Sequence, residues 1–293
     1  MSNKCKIFVI YHKPETALIS DVYQPLAVGK NASNFPNEFL RDNVGENISE
    51  KNPIYNEMTG IYWVFRHLDE FKDIQYFGFA HYRRLFCFNG LDKTAYVKKE
   101  IKQKLIEVDE DKIGRYFSDY DFIVPRPSHY RSVRKHFEKT HNKEDIDLLL
   151  KVIDEVAPKY KKDAVEYFDG GDEYLYNMFV FTKSQFEEYG NFIFPVLDKF
   201  VSEKKDIDRL YVSERLTGIF ITHLLSQGKR ALLLPILHIR SKSLKAAHKQ
   251  VKENFKQNKD RGLMYKLKPL ILCFIPRFLE QDLRRRKARW KKN

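Results

Sequence analysis

Short apolar runs alternate along the chain with longer segments in which apolar residues recur at helical spacing. The runs are apolar throughout and rich in β-branched and aromatic residues, which predicts strands buried on both faces of a sheet. They cover Lys6–Tyr11, Ile74–Ala80, Asp121–Pro125, Leu175–Phe181 and Ala231–Leu237. Because the strands alternate with helices, the sequence predicts an α/β fold with a Rossmann-type, mostly parallel sheet and helices on both faces.

The segment between the first two predicted strands combines a polar stretch with a helix start. Lys13 to Asn52 is polar and contains Gly, Pro and Asn, which predicts a long connection of the kind that often carries function. Asn52 and Pro53 then predict the start of a helix, with Asn52 as the cap and Pro53 at the first helical position.

Helical spacing predicts further helices later in the chain. A charged helix is expected over Thr94–Val108, and another with Ile146 to Val156 on its apolar face. Ser184 and Glu187 have the spacing of a capping box at the start of a third helix. The last predicted helix of the body covers Ser213–Gln227.

Basic charge is concentrated at the C-terminal end. The chain has 293 residues and a net charge of +13, and residues 241–293 contain 17 Lys and Arg against 4 Asp and Glu. The preceding residues are therefore neutral overall, which separates a body (residues 1–240) from a basic, partly apolar tail (residues 241–293). The cysteines Cys5, Cys87 and Cys273 lie far apart, which favours free thiols in a reducing compartment.

Polar residues follow the predicted strands at their carboxyl ends, which is the edge where open parallel sheets bind ligands. Many of them are cationic or carry an imidazole, which suits a phosphate-bearing ligand. No P-loop or GxGxxG motif is present to suggest a P-loop NTPase or a dinucleotide enzyme. The edge residues are Tyr11, His12 and Lys13 after the first strand, His81, Tyr82, Arg83 and Arg84 after the second, Asn177 within the fourth, and His238 and Arg240 after the last.

A DxD spacing at Asp119-Tyr120-Asp121 precedes its strand instead of following it. The strand direction predicts that this pair of aspartates lies at the amino edge of the sheet, away from the ligand. No HExxH or CxxC motif is present, so no metal site is predicted.

Several ordered polar motifs resemble a family of bacterial capsular and exopolysaccharide glycosyltransferases, formerly catalogued as a domain of unknown function. The similarity extends from about Lys6 to Arg240. The motifs that carry it are Tyr11-His12-Lys13-Pro14, Val28-Gly29, Leu40-Arg41-Asp42-Asn43-x-Gly45-x-Asn47-Ile48-Ser49, Lys51-Asn52-Pro53, Phe79-Ala80-His81-Tyr82-Arg83-Arg84 and Ser213-Glu214-Arg215-Leu216.

This resemblance implies a GT-A-like fold, a nucleotide-sugar donor, with UDP-linked sugars expected, and a glycan or lipid-linked saccharide acceptor. It also implies transfer of a hexose, with galactose and galactofuranose as the associated sugars. The His81-Tyr82-Arg83-Arg84 segment takes the place of the metal-binding DxD of other GT-A enzymes. We therefore expect the donor diphosphate to be neutralised by Arg83, Arg84 and His81 without a required metal, although Mn²⁺ or Mg²⁺ binding stays open.

Candidate site residues follow from these patterns. Glu214 opens a helix and is the predicted general base, with Asp172 and the neighbouring Glu173 as rival carboxylates. Each also has a structural reading, as a helix-dipole partner, a cap or a core residue. The residues expected to contact the donor are Tyr11, which would stack on its base, His12, Lys13, Val28, Gly29, Arg41, Asp42, Asn47, Lys51, Asn52, His81, Arg83, Arg84, Asn177 and His238.

The tail predicts an attachment to a membrane surface. Residues 263–293 combine an apolar, proline-interrupted segment that is too short to span a bilayer with a basic cluster and Trp290. We expect a cytoplasmic protein held at the inner face of the cell membrane by anionic lipid. Two other hypotheses stay open: a non-catalytic nucleotide- or carbohydrate-binding protein with a degenerate site, and a nucleic-acid-binding protein acting through the tail. No nucleic-acid-binding module supports the latter.

Overall fold

The computed structural model describes residues 4–91, 94–97, 102–139, 141–204, 207, 209–239, 251–255, 263 and 267. The strands are β1 Cys5–Tyr11, β2 Tyr23–Ala27, β3 Leu40–Arg41, β4 Tyr76–His81, β5 Arg84–Phe86, β6 Ala95–Val97, β7 Phe122–Pro125, β8 Ser128–His129, β9 Asp172–Glu173, β10 Phe179–Thr182, β11 Ala231–Leu234 and β12 Ile236–Ile239. The α-helices are α1 Asn52–Tyr55, α2 Met58–Arg66, α3 Lys102–Ile106, α4 Glu110–Asp119, α5 Val133–Glu138, α6 Glu144–Val156, α7 Lys161–Asp169, α8 Lys183–Glu203 and α9 Ser213–Ser226.

The central sheet is mixed but mostly parallel. Its strands lie in the order β11-β7-β10-β4-β1-β2-β3 within the described residues. Strands β1 to β4 run parallel to one another, and β7 pairs in parallel with β11; in this row of seven strands, β10 alone runs antiparallel to both of its neighbours, β4 and β7. The predicted α/β fold with a mostly parallel, GT-A-like sheet is therefore confirmed.

Apolar side chains project from both faces of the sheet, as the continuous apolar runs predict. Alternate residues of β1 point to opposite sides, so Phe8 and Ile10 enter one core and Ile7 and Val9 enter the other. The first core is closed by α2, α6, α8 and α9, and the second contains apolar residues of α3 and α4. Truncating a buried aromatic such as Phe8 to Ala would cost about 3–5 kcal/mol.

The predicted connection from Lys13 to Asn52 contains two strands of the sheet. Pro25 obscures β2 in the sequence because proline has no backbone N–H to donate to a neighbouring strand. The structure tolerates it because β3 pairs with β2 only beyond the proline, at Leu26 and Ala27. The sequence therefore predicted the connection but missed the two strands within it.

The predicted helix start at Asn52 is right in position and wrong in mechanism. Asn52 is the first residue of α1 and makes no capping bond; its side-chain amide donates to the carbonyl of Asn56 and to the hydroxyl of Thr59. Asn56, with a φ of 53°, separates α1 from α2. The capping box of α8 is also shifted, because Thr182 and Gln185 form it rather than Ser184 and Glu187.

Two more predicted elements are divided. The segment Thr94–Val108 holds β6 and the short α3, not one helix. The run Ala231–Leu237 breaks before Pro235: β11 pairs with β7, whereas β12 leaves the central row to pair with β5 and β6. His238 therefore lies inside β12 and does not follow a strand end.

Most of the predicted tail, and Arg240 with it, lies outside the described residues, so its attachment to a membrane stays a prediction. Residues 251–255 of that segment are helical. Within the part of the chain that the structure describes, no helix combines the length and apolarity needed to cross a bilayer.

Candidate active site at the carboxyl edge of the sheet

The parallel strands end at the same edge of the sheet, and the polar residues that follow them lie together there. The registers align Tyr11 with Ala27, Ala27 with Arg41, and Ile10 with His81. The segments that begin at His12, Val28 and Asp42, together with Tyr82-Arg83-Arg84, therefore meet at one edge of the sheet. Asp119 and Asp121 lie at the opposite edge, as predicted from strand direction, where Asp121 accepts a hydrogen bond from the backbone N–H of Arg230 at 2.8 Å.

Asn177 reaches the same edge by a different route from the one predicted. It lies outside any strand, in the turn before β10, and both Tyr176 and Asn177 have positive φ angles of 78° and 49°. Because β10 runs antiparallel to β4, its amino end lies beside the carboxyl end of β4. The prediction that Asn177 lies within a strand is wrong, but its expected edge is right.

The Asn177 side chain holds three elements together and is only 1% exposed. Its Nδ2 donates to Oε1 of Glu57 at 2.9 Å, and its Oδ1 accepts from Oγ1 of Thr217 at 2.6 Å. It also contacts Ser213 at the start of α9. Asn177 therefore fixes the backbone of the turn and, in this conformation, presents no side-chain atom to a ligand.

His81 is held in one tautomer by that turn. Its Nε2 lies 2.7 Å from the carbonyl oxygen of Tyr176, which can only accept, so Nε2 carries the proton and Nδ1 carries the lone pair. Burial, and secondarily the charge of Arg84, lowers the pKa of His81 to about 4. In this structure His81 is therefore neutral at pH 7, and its Nδ1 can accept a hydrogen bond from a hydroxyl; its share in neutralising a diphosphate stays a prediction.

Arg83 and Arg84 supply fixed positive charge at this edge. The Arg83 guanidinium lies 4.9 Å from the ring centre of Tyr82, and that of Arg84 lies 4.4 Å from that of Tyr176. Among the residues that the structure describes, neither arginine forms an ion pair, and Nε of Arg84 is buried without a hydrogen-bond partner. His238 joins this cluster from β12, where it pairs in register with Arg84. Aromatic faces thus orient these cations while leaving their charge available to an anion.

Glu214 lies in the first turn of α9 and faces the same turn. One carboxylate oxygen accepts from the backbone N–H of Tyr176 at 3.1 Å, and the other lies 3.0 Å from Nη1 of Arg215. Its side chain keeps 28% exposure. Burial raises the pKa of Glu214, against the opposing charge of Arg215, and the nearby Glu57 raises it further. A carboxylate with a raised pKa that stays open to solvent is suited to take up a proton.

Glu173, rather than Asp172, is the rival carboxylate that the structure brings near Glu214. Glu173 is fully buried and lies 2.5 Å from the guanidinium of Arg215, which is itself buried. Asp172 is 56% exposed and pairs with His129 in the small β8–β9 sheet. No contact joins Asp172 to the Arg83–Arg84 cluster within the described residues, so the structure does not bring this predicted catalytic residue to the edge with Glu214.

Glu57 is a site residue that the sequence reasoning missed. It lies at the start of α2, and its pKa is raised by burial against the hydrogen bonds from its own backbone N–H and from Asn177. Arg84 stabilises the charged forms of both Glu57 and Glu214. The only sequence signal for Glu57 was an acidic residue at a helix start, which is common outside active sites.

The residues after β1 differ in their access to a ligand. Tyr11 is 2% exposed, its ring packs against Tyr82 and Phe39, and its hydroxyl bonds to the backbone of Leu18. The expectation that Tyr11 stacks on a base is therefore corrected, because its faces are already covered. His12 and Lys13 are exposed at the rim. Partial desolvation, followed by the positive charge of Arg83, lowers the pKa of His12 to about 4.

A tightly bonded loop follows β2 and β3. Asp42 is fully buried and accepts from the backbone N–H of Gly29 at 2.9 Å and from the hydroxyl of Ser49 at 2.7 Å. Gly29 has a φ of 83°, and a Cβ there would lie 2.7 Å from Oδ1 of Asn52. Asp42 therefore shapes the loop and offers no free oxygen surface to a donor, and Val28, 4% exposed, is also covered.

The remaining predicted loop residues are engaged with other parts of the chain. Arg41 donates to the carbonyl oxygen of Phe35 at 2.8 Å. Asn47 is exposed and bonds within its own turn, to Gly45 and Ser49. Lys51 lies 3.5 Å from Asp198 of α8 and over the ring of Tyr55. Within the described residues, no cluster of three or more His, Cys, Asp or Glu side chains is arranged to hold a metal ion.

Comparisons with known proteins agree with this architecture. A solved structure titled "WbbM bifunctional glycosytransferase apo structure" superposes with a TM-score of 0.72 at 26% sequence identity. The match covers 82% of this chain and 46% of that one, so this chain spans under half the length of that protein. The comparison with curated proteins gives no match. A family profile matches residues 6–227. The chain therefore belongs to the family described as "Domain of unknown function (DUF4422)".

Proposed function

We propose that the chain is a glycosyltransferase that moves a hexose from a UDP-linked donor to a glycan acceptor in the synthesis of a surface polysaccharide. The observation that carries this proposal is the pair of arginines at the carboxyl edge, which have no carboxylate partner among the described residues. The positive charge of Arg84 also acts on Glu214, whose pKa is raised by burial. The similarity to a bifunctional glycosyltransferase supports it.

Each residue type matches one need of glycosyl transfer. The leaving nucleoside diphosphate gains negative charge as the glycosidic bond breaks, and Arg83 and Arg84 would stabilise that charge. Glu214 would accept the proton of the attacking acceptor hydroxyl, since its charge is held by Arg215 and its pKa is raised toward neutrality. His81, neutral and with Nδ1 as an acceptor, would bind a sugar hydroxyl.

We also propose that arginine neutralises the donor diphosphate in place of a DxD-bound metal. The basis is positional: the DxD-spaced aspartates lie at the far edge of the sheet, where Asp121 is engaged with Lys229 and the backbone of Arg230. Binding measured with Mn²⁺ and with EDTA tests this directly.

A thermal-shift screen against UDP, GDP, CMP and their sugars, with UDP-galactose and UDP-galactofuranose included, tests the donor site. Ligand at 100 times its Kd stabilises the native state by about 2.7 kcal/mol, which is readily seen as a rise in Tm. We expect a shift with the uridine ligands, insensitive to EDTA, that disappears in Arg83→Ala/Arg84→Ala.

The matched control is Lys72→Ala/Arg115→Ala, which removes one exposed lysine and one exposed arginine outside the edge cluster. Release of UDP from the donor in the presence of acceptor would then establish turnover. Nucleotide binding without turnover would favour the non-catalytic binding protein, and absence of any nucleotide shift in folded protein would contradict the proposal.

A further inference from the structure

A second basic surface lies on the loop and helix that follow β7. It is an open groove of about 530 Å³, within the size range of ligand sites. The groove follows the carboxyl end of β7, so it lies on the same side of the sheet as Arg83 and Arg84. Its lining residues are Tyr130, Arg131, Ser132, Lys135, His136, Glu138 and Lys139.

The cations of this groove differ from those on the neighbouring helices. Arg131, Lys135 and Lys139 are exposed, and none of them forms an ion pair within the described part of the chain. By contrast, Lys151 on α6 forms an ion pair with Glu203, and Lys161 on α7 forms one with Asp154. The one acidic lining residue, Glu138, lies 3.7 Å from Arg134. The groove therefore carries uncompensated positive charge.

Two stacked rings lie beside the cations of the groove. The ring of Tyr130 stacks on His136 with ring centres 3.7 Å apart and an interplanar angle of 9°. Tyr130 keeps 37% exposure. An aromatic face with a polar tip next to cations suits a ligand that is both saccharide and anion.

The groove is joined to Glu214 by a chain of close contacts. Nδ1 of His136 lies 2.8 Å from Glu173, whose other oxygen lies 2.5 Å from Arg215, and Arg215 contacts Glu214. Glu173 and Arg215 are almost fully buried, so this chain fixes the position of the groove relative to the carboxylate. The groove is thus linked to Glu214 through two buried side chains, Glu173 and Arg215.

We infer that this groove is the acceptor subsite and that it binds the phosphate-bearing end of a saccharide phosphate or diphosphate. The inference rests on the proposed function, because it assigns the second substrate of that reaction. The phosphate would contact Arg131, Lys135 and Lys139, and the sugar would pack against Tyr130. Free and lipid-linked saccharide phosphates share this chemistry.

The test measures binding to the full-length chain by titration calorimetry, with UDP added at saturation to fill the donor site. The probes are hexose 1-phosphate, a water-soluble short-chain alkyl diphosphohexose and the matching alkyl hexoside without phosphate. We expect the phosphorylated probes to bind and the hexoside to bind at least about tenfold more weakly. Tighter binding of the alkyl diphosphohexose would identify the lipid-linked source, and tighter binding of hexose 1-phosphate the free one.

Arg131→Ala/Lys135→Ala is the deciding variant, with Lys72→Ala/Arg115→Ala as its matched control. We expect the groove variant to weaken phosphorylated probes about tenfold while UDP affinity and thermal unfolding stay as in the wild type. The acceptor subsite alone would be overturned if the phosphorylated probes bound no more tightly than the alkyl hexoside. It would also be overturned if the Arg131→Ala/Lys135→Ala variant bound the phosphorylated probes as tightly as the wild type. Wild-type protein that binds the probes but no nucleotide would instead overturn the proposed function and the subsite with it.

Discussion

Both edges of the central sheet carry charged side chains but use them differently. At the amino edge, Asp121 accepts a backbone N–H of the β11 connection and lies 3.8 Å from Lys229. At the carboxyl edge, Arg83 and Arg84 rest on aromatic rings without ion pairs among the described residues. Charges that satisfy one another stabilise the chain, whereas charges held in place without a partner are available to a ligand.

The same distinction separates two arginines within the candidate site. Arg215 is buried and lies between Glu173 and Glu214, so its charge is consumed in positioning those carboxylates. Arg84 instead has an Nε that is buried and lacks a hydrogen-bond partner in the described residues. Adjacent elements thus supply one structural cation and one functional candidate, and the experiments below test that division.

Replacing Glu214 by Gln should have the largest effect on turnover. The amide keeps the shape and the contact with Tyr176 but cannot take up a proton, so kcat should fall by about 100-fold or more. Initial rates of UDP release measure it, and the acid limb of the wild-type pH profile should lie above pH 4.5 because the pKa of Glu214 is raised. Asp172→Asn should retain wild-type turnover; if instead it loses as much as Glu214→Gln, the assignment of the base is reversed.

Removing the two edge arginines should have the next largest effect. Arg83→Ala/Arg84→Ala should weaken UDP binding by at least roughly 10- to 100-fold, since the loss of even one charge-assisted bond to phosphate costs about 1.5–3 kcal/mol. Calorimetric titration with UDP and with uridine separates the phosphate contribution, because uridine affinity should barely change. An equal loss for both ligands would show a general disturbance of the site rather than phosphate recognition.

His81 should make folding stability depend on pH in a defined window. Its pKa is lowered from 6.5 to about 4, so between these values the unfolded chain binds a proton that the folded chain does not. The free energy of unfolding should therefore fall by roughly 1–3 kcal/mol as the pH is lowered from 7 to 4.5. Urea unfolding of the wild type and of His81→Asn measures the difference; the same pH dependence in both would refute the neutral, buried imidazole.

Changing the amino-edge aspartates should have the smallest effect. Asp119→Asn/Asp121→Asn should leave UDP affinity unchanged with Mn²⁺ or EDTA and lower stability by about 1 kcal/mol or less, since the amide oxygen can still accept from Arg230 and only the exposed pair with Lys229 is lost. If this variant lost UDP binding in a metal-dependent way, the amino-edge aspartates would also take part in donor binding, and the two edges would not differ in function.

Local sequence patterns were reliable where the spacing of apolar residues within one element is enough to define that element. The apolar run of β1 and the helical spacing of α6 and α9 predicted these elements closely. A strand buried on both faces is apolar throughout, and a helix buried along one stripe has apolar residues at helical spacing, so both patterns are visible in the sequence. The patterns failed at β2, where Pro25 imitates a loop, and at the run Ala231–Leu237, which Pro235 divides between two sets of partners.

By itself the sequence determined the fold class and the edge at which His81, Arg83 and Arg84 belong, since strand direction follows from the order of elements. Only the tertiary structure decided which of them are available. The antiparallel direction of β10 brings the carbonyl of Tyr176 to His81, which fixes its tautomer, and brings Asn177 to Glu57. Partners of this kind lie 95 and 120 positions apart, so their effects on charge and exposure leave no trace in local spacing.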